Sequence, residues 1–136
     1  MRTLARHVTL VTSLVLMLVF LSCKDENPLD MGSPSNVVFP TSNVSYSQHV
    51  QVLFNQACAF AGCHDDGVPQ GRVKLISWGN LTNFPGVVVP GQPELSTLVI
   101  SIEGTSVQRM PPNGNPLNQN QINGIRTWIV EGAMNN

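Results

Sequence analysis

Two cysteines and a histidine lie close together in the segment Cys58–His64, where Cys63 is followed directly by His64. A cysteine pair that ends in Cys-His is the attachment signature of c-type haem. Each thiol can form a thioether to one haem vinyl group, and the adjacent histidine is then held under the iron as proximal ligand. Four residues separate these cysteines, instead of the usual Cys-x-x-Cys-His spacing. Because Cys63 and His64 stay adjacent, the segment still indicates one covalent haem c.

The same residues allow two other interpretations. A disulfide between Cys58 and Cys63 suits an exported protein. Zinc also binds Cys and His, usually through four ligands. Cys63 and His64 are sequence neighbours, however, and His49 is the only other histidine beyond the first 22 residues. Haem is therefore the favoured interpretation, with the disulfide and zinc as alternatives.

The N-terminal segment has the pattern of a secretory signal. Arg2 and Arg6 form a basic start, and residues 8–22 are an apolar run broken only by threonine and serine. This run is shorter than the roughly 20 apolar residues of a membrane-spanning helix, so it matches the apolar region of a signal peptide. A short uncleaved anchor is the alternative.

Cys23 ends a sequence that resembles the lipobox of bacterial lipoproteins. In residues 20–23, Phe-Leu-Ser-Cys, a small residue precedes a cysteine directly after the apolar run. The resemblance implies a signal peptide over residues 1–22, lipidation of Cys23 and a lipid-anchored location in the cell envelope, on the periplasmic side or the outer-membrane surface. Lipidation also accounts for the odd number of cysteines, which is three. Without it, one cysteine of the exported protein would have no partner left to pair with.

The chain without its predicted signal peptide carries little charge. It contains five lysines and arginines and eight aspartates and glutamates, which gives a net charge of −3. It contains no basic patch, which argues against nucleic-acid binding. Residues 24–43 are rich in Pro, Ser, Gly and Asn and lack periodicity. They predict a flexible tether over residues 23–43, followed by a domain over residues 44–136.

Three short amphipathic helices are predicted in this domain, each with apolar residues at helical spacing, over residues 47–57, 93–103 and from 118 to a glycine stop at 132. The first helix leads directly into Cys58. Asn118 and Gln121 resemble a capping box at the start of the third. Residues 65–92 look mostly irregular, apart from a short extended piece at 87–89. Such a chain buries little apolar surface alone, and small domains often need a cofactor, so a haem core agrees with the pattern.

From Tyr46 to Asn136 the chain resembles the small single-haem, class I-like cytochromes c, especially the planctomycete-type domains of exported bacterial proteins. The matching elements occur in family order: a helix entering Cys58–His64, residues 89–98 (Val-Pro-Gly-Gln-Pro-Glu-Leu-Ser-Thr-Leu), residues 109–112 (Arg-Met-Pro-Pro), and a helix opened by residues 116–118 (Pro-Leu-Asn). The resemblance implies an all-α, class I cytochrome c-like domain, with about three helices and long loops wrapped around the haem.

Iron in such a domain needs a sixth ligand or keeps an open site. The resemblance implies Met110, which lies 46 residues after His64, because a thioether sulfur is an established haem ligand. The alternative is a methionine that fills a gap in the core. His49 is expected on a helix surface and is the fallback ligand. Met31 lies in the tether and Met134 at the C-terminus, so neither is well placed.

The haem propionates also need partners, because buried charges are costly when unpaired. Trp78 and Arg72 are candidate contacts, together with Lys74, in the loop expected to cover a haem edge. Trp78 is equally a candidate core aromatic. Asp65 and Asp66 are expected to be turn residues.

The expected function is that of an electron carrier and not an enzyme. Its partners are redox proteins, met through transient contacts, and the membrane, through the lipid anchor. Two alternatives belong to other classes. One is a haem peroxidase or sensor with an open distal site, which a Met110 ligand would close. The other is a haem-free binding lipoprotein that a Cys58–Cys63 disulfide stabilises.

Overall fold

The computed structural model of the chain describes residues 36–105, 108–112 and 116–136. The predicted signal peptide, Cys23 and Met31 lie outside these residues. The regular structure within them is helical and contains no strand, which confirms the all-α class. Across the same residues, no helix has both the length and the apolar character needed to cross a bilayer.

The first helix confirms the prediction for residues 47–57. It begins with a π-helical turn, Tyr46–Val50, and continues as α1, Gln51–Ala57. The Ser45 side chain caps its start by accepting a hydrogen bond from a first-turn N–H. Its buried face carries the predicted apolar residues Val50, Leu53, Phe54 and Ala57. The helix ends at Cys58, so it places the first cysteine.

A short helix lies in the region that the sequence predicts to be irregular. This helix, α2, covers Trp78–Thr82, and the Ser77 side chain caps it. A helix of five residues has one buried position, Leu81, so no periodic apolar stripe exists for the sequence to reveal. The valines at 87–89, for which an extended piece is predicted, form no strand.

Helix α3, Thr97–Glu103, is shorter than the predicted helix over residues 93–103. The first part of that prediction, Pro93–Leu95, forms a separate 3₁₀ turn. Ser96 divides the two, because its backbone is extended and its side chain bonds at 2.9 and 3.0 Å to two backbone groups of the preceding loop. These bonds hold the fully buried Ser96 to that loop and interrupt the helix.

Helix α4, Gln119–Val130, begins with the predicted capping box. Asn118 and Gln121 each accept a hydrogen bond from the other's backbone N–H, both at 3.0 Å. Its apolar face lies at the centre of the domain, where Ile125, Trp128 and Ile129 are fully buried. The core is larger than the sequence pattern suggests, because loop residues such as Leu75, Val87 and Leu117 also join it.

Residues before the predicted boundary at residue 44 pack on the domain. Val37 and Phe39, in the predicted tether over residues 23–43, are buried. The Asn120 side chain of α4 accepts from the Phe39 N–H at 2.8 Å and donates to its carbonyl at 3.0 Å. The last part of the range predicted as a tether is therefore an apolar segment that packs on α4.

The close packing of Phe39 explains Gly124 in the middle of α4. A Cβ at position 124 would lie 2.1 Å from the Phe39 ring. We expect Gly124→Ala to destabilise the domain by about 1–3 kcal/mol through overpacking, although alanine has a helix propensity about 1 kcal/mol better than glycine. Thermal unfolding measures this change, and Asn123→Ala, at the exposed neighbouring position, is the control. A stabilised Gly124→Ala variant would contradict the packing of Phe39 on this helix.

Candidate functional site

The loop between the two cysteines folds back toward its own start. The Cys63 N–H donates to the Phe60 carbonyl at 2.9 Å, and the His64 N–H donates to the Cys58 carbonyl at 3.1 Å. Gly62 takes a φ of 79° in this turn, a conformation that glycine adopts without steric cost. The four-residue spacing therefore keeps His64 hydrogen-bonded to the backbone of the first cysteine.

The His64 ring is oriented by a backbone carbonyl. Its Nδ1 lies 2.9 Å from the Val73 oxygen. A carbonyl only accepts, so Nδ1 carries the proton of the neutral ring and Nε2 presents a lone pair. The Leu75 N–H also donates to the His64 carbonyl at 2.9 Å. A carbonyl on the second ring nitrogen is the usual support of a metal-binding histidine, so His64 has the orientation and tautomer of a ligand.

Two largely apolar cavities lie against His64. Both are open clefts, with empty volumes of about 460 and 510 Å³ when their open mouths are included. Four residues line both cavities: Cys58, His64, Ile102 and Met110. The first cavity is also lined by Cys63, Ala57, Gln70, Pro111 and Pro112. The second is also lined by Val73, Leu75, Val87, Thr97, Leu98 and Ser101. The structure thus brings the predicted residues Cys58, Cys63, His64 and Met110 together.

Met110 is held in this site by the end of α3. Its N–H donates to the Ser101 carbonyl at 2.9 Å. Leu98 and Ile102 lie on the predicted apolar face of this helix; Leu98 lines the second cavity and Ile102 lines both. Helix α3 therefore supplies both an apolar wall and the backbone group that fixes Met110.

The candidate propionate contacts lie elsewhere. Trp78 lines neither cavity, packs against the apolar core, and donates its single N–H to the Ala133 carbonyl at 2.7 Å. This arrangement corresponds to the core-aromatic alternative. Arg72 is exposed and forms no ion pair with the described residues. Its contact with a haem propionate therefore stays a prediction. Lys74 instead pairs with Asp66 at 2.6 Å.

His49, the fallback ligand, and Met134 also lie away from the cavities. His49 lies in the π-helical turn, where its Nδ1 accepts from the Ser45 N–H at 3.1 Å and its ring stacks obliquely on Phe39 at 5.7 Å between centroids. Met134 is 59% exposed. Neither residue lines either of these cavities, and among the described methionines Met110 is the one that lines them together with His64.

The Cys58 and Cys63 thiols are free in the part of the chain that the structure describes. No three His, Cys, Asp or Glu side chains within it are grouped to hold a metal ion. Burial raises the pKa of the Cys58 thiol from 9.0 to about 12, with a smaller contribution from Cys63. The neutral thiol at Cys58 is therefore the form that the folded protein favours.

This shift predicts slow alkylation of Cys58 in protein produced without haem. The thiolate is the reactive form, so iodoacetamide at pH 8 should label Cys58 far more slowly in folded than in denatured protein, as peptide mass spectrometry would show. Stability should also fall as the pH rises from about 9 to 12, because the unfolded thiol ionises in that range while the folded thiol does not. Equal labelling rates in folded and denatured protein would contradict the burial of this thiol.

Comparisons of the chain with protein-family profiles, with curated proteins and with solved structures find no significant match. Its function is therefore inferred from the residues and geometry of this site.

Proposed function

We propose that the protein is a c-type cytochrome, a lipid-anchored carrier of single electrons in the cell envelope with one covalent haem. The observation that supports this most strongly is the position of His64. Its Nδ1 is fixed by the Val73 carbonyl, and the ring lines two apolar cavities that it shares with Cys58 and Met110.

The residues of the site fit a haem group. Cys58 and Cys63 would attach it by adding their S–H groups across its two vinyl double bonds. His64 would bind the iron through Nε2 and Met110 through its sulfur, and the bound haem supplies a centre that gains and loses one electron. The apolar side chains around it exclude water, and a His/Met ligand pair raises the reduction potential.

The lining of the cavities supports a carrier over a peroxidase. Within the described residues, neither cavity is lined by aspartate, glutamate, lysine or arginine, and His64 is their only histidine. Peroxide cleavage needs a second group that can move a proton, and none of these lining residues is suited to that role. Met110 in the same cavities would close the sixth position. The haem-free alternative requires a disulfide between Cys58 and Cys63, whereas both cysteines are free in the structure.

The proposal is tested by redox titration of the purified protein with visible spectra. We expect one reversible one-electron transition of a six-coordinate haem, and a reduced form that does not bind carbon monoxide. Rapid carbon monoxide binding would favour the sensor or peroxidase, and the absence of a chromophore would favour the haem-free alternative.

The proposal includes the lipid anchor, because an electron carrier that is held at a membrane meets its redox partners at the surface of that membrane. Cys23→Ser should release the protein from the membrane or block its processing, since the acylated thiol is removed. Membrane fractionation and mass spectrometry of the N-terminal peptide measure this. A Cys23→Ser protein that stays acylated and membrane-bound would contradict the lipobox assignment.

A further inference from the structure

We infer that Gly104 and Arg109 act together as positioning residues that hold Met110 in the two cavities that it shares with His64. This inference rests on the proposed function, because it assigns a role to Met110 at the haem site. It concerns Arg109 and Met110, which follow α3 in the chain. Both residues contact the C-terminal end of this helix.

The backbone of Met110 is attached to the last turn of α3. Gly104 ends this helix in the left-handed conformation, with φ 71° and ψ 33°, and its N–H donates to the carbonyls of Ile100 and Ser101 at 3.0 and 3.2 Å. The Met110 N–H donates to the same Ser101 carbonyl at 2.9 Å. A backbone carbonyl oxygen has two lone pairs, so the Ser101 carbonyl can accept from both Gly104 and Met110.

The side chain before Met110 makes a second contact with the same helix end. A Cβ at position 104 would lie 3.0 Å from Cβ and Cγ of Arg109 and 3.1 Å from its Cδ. The aliphatic stem of Arg109 therefore lies directly across Gly104. Arg109 pairs with no carboxylate among the described residues, and a cation is favoured at a helix C-terminus. The packing of its stem, and not an ion pair, fixes its place.

These two contacts fix adjacent residues on one helix end. Arg109 packs by its stem on Gly104, and Met110 is bonded by its N–H to Ser101, so both contacts restrain the backbone that carries the Met110 side chain. A ligand must be held within about 0.5 Å of its productive position. Gly104 is thus required for the space that it leaves to Arg109 as well as for its positive φ.

The chain offers a matched control for this role. Gly91 has a φ of 77°, and a Cβ added there would have no atom within 4 Å, whereas Gly104 has a φ of 71° and a Cβ there would meet Arg109 at 3.0 Å. Alanine at either position carries the strain of a left-handed conformation. Only Gly104→Ala also pushes on the Arg109 stem, and Arg109→Ala removes that stem without adding strain at position 104.

The experiment measures amide exchange of Met110 by NMR in the reduced haem protein, together with the sulfur–iron band of the oxidised protein. We expect Gly104→Ala to accelerate the exchange at least tenfold and weaken the band, and Gly91→Ala to change neither. Arg109→Ala, which introduces no clash, should move both readouts in the same direction. Arg109→Lys should retain both, because lysine keeps the stem.

Equal exchange rates in Gly104→Ala and Gly91→Ala, with no change in Arg109→Ala, would overturn the inference while leaving the electron carrier intact. If the exchange responds as expected but the wild type has no sulfur–iron band, the positioning role stands. In that case Met110 ligation, and with it the proposed function, fails.

Discussion

Met110→Ala is expected to abolish the weak near-infrared band that sulfur–iron charge transfer gives in the oxidised protein. It should lower the reduction potential by more than about 60 mV, a tenfold change in the one-electron equilibrium, because a thioether ligand raises the potential. The reduced variant should also bind carbon monoxide, since the lost side chain lines both cavities beside His64 and leaves a coordination position open. Near-infrared spectra, redox titration and carbon monoxide difference spectra measure these three effects.

Two variants serve as controls for Met110→Ala. Met134→Ala removes an exposed methionine, and His49→Ala removes the fallback ligand, which lines neither cavity. Both should keep the band, the potential and the resistance to carbon monoxide. If Met110→Ala leaves the spectrum unchanged, or if the wild type binds carbon monoxide readily, the electron carrier loses its main support. The open-site sensor or peroxidase then becomes the better interpretation.

Replacing both Cys58 and Cys63 with alanine is expected to remove all covalently bound haem. Cys58→Ala alone should leave one thioether, through Cys63, and a reduced yield of holoprotein. The yield should fall because binding of a metal cofactor contributes to the stability of the fold around it. Mass spectrometry of denatured protein counts the attached haem, and thermal unfolding reports the loss of stability.

Cys23→Ser is the matched control, because it also removes a cysteine. It should alter membrane anchoring and leave the haem mass unchanged. A double variant that retains haem after denaturation would show that attachment occurs elsewhere. A wild type in which these two cysteines form a disulfide would favour the haem-free binding lipoprotein.

Local patterns are sufficient to predict the main helices. The apolar stripe before Cys58 and the capping box at Asn118 both depend on residues within two turns of one another, and the structure contains both. The division of the second predicted helix at Ser96 is not predictable in this way, because it depends on side-chain bonds to a loop. Helix α2 could not be predicted in this way, because its five residues include only one buried position and so form no periodic apolar pattern.

The candidate site shows the same division between local and distant information. Cys63 and His64 are adjacent and form a motif by themselves, whereas Met110 follows from a resemblance. The carbonyl of Val73 orients His64 but leaves no trace in the sequence, because any residue supplies a carbonyl. The packing of Arg109 on Gly104 depends on how the chain returns to α3, and the bond from Trp78 to Ala133 joins residues 55 positions apart.

The intact mass of the denatured wild-type protein tests covalent haem attachment most directly. We expect the polypeptide to retain one haem mass after acid–organic extraction, and neither Cys58 nor Cys63 to react with a thiol reagent in denaturant. Such a result requires two thioethers, because non-covalent haem is lost under these conditions and a disulfide adds no mass. Loss of all haem on extraction, or two reactive thiols at Cys58 and Cys63, would contradict the assignment of this protein as a c-type cytochrome.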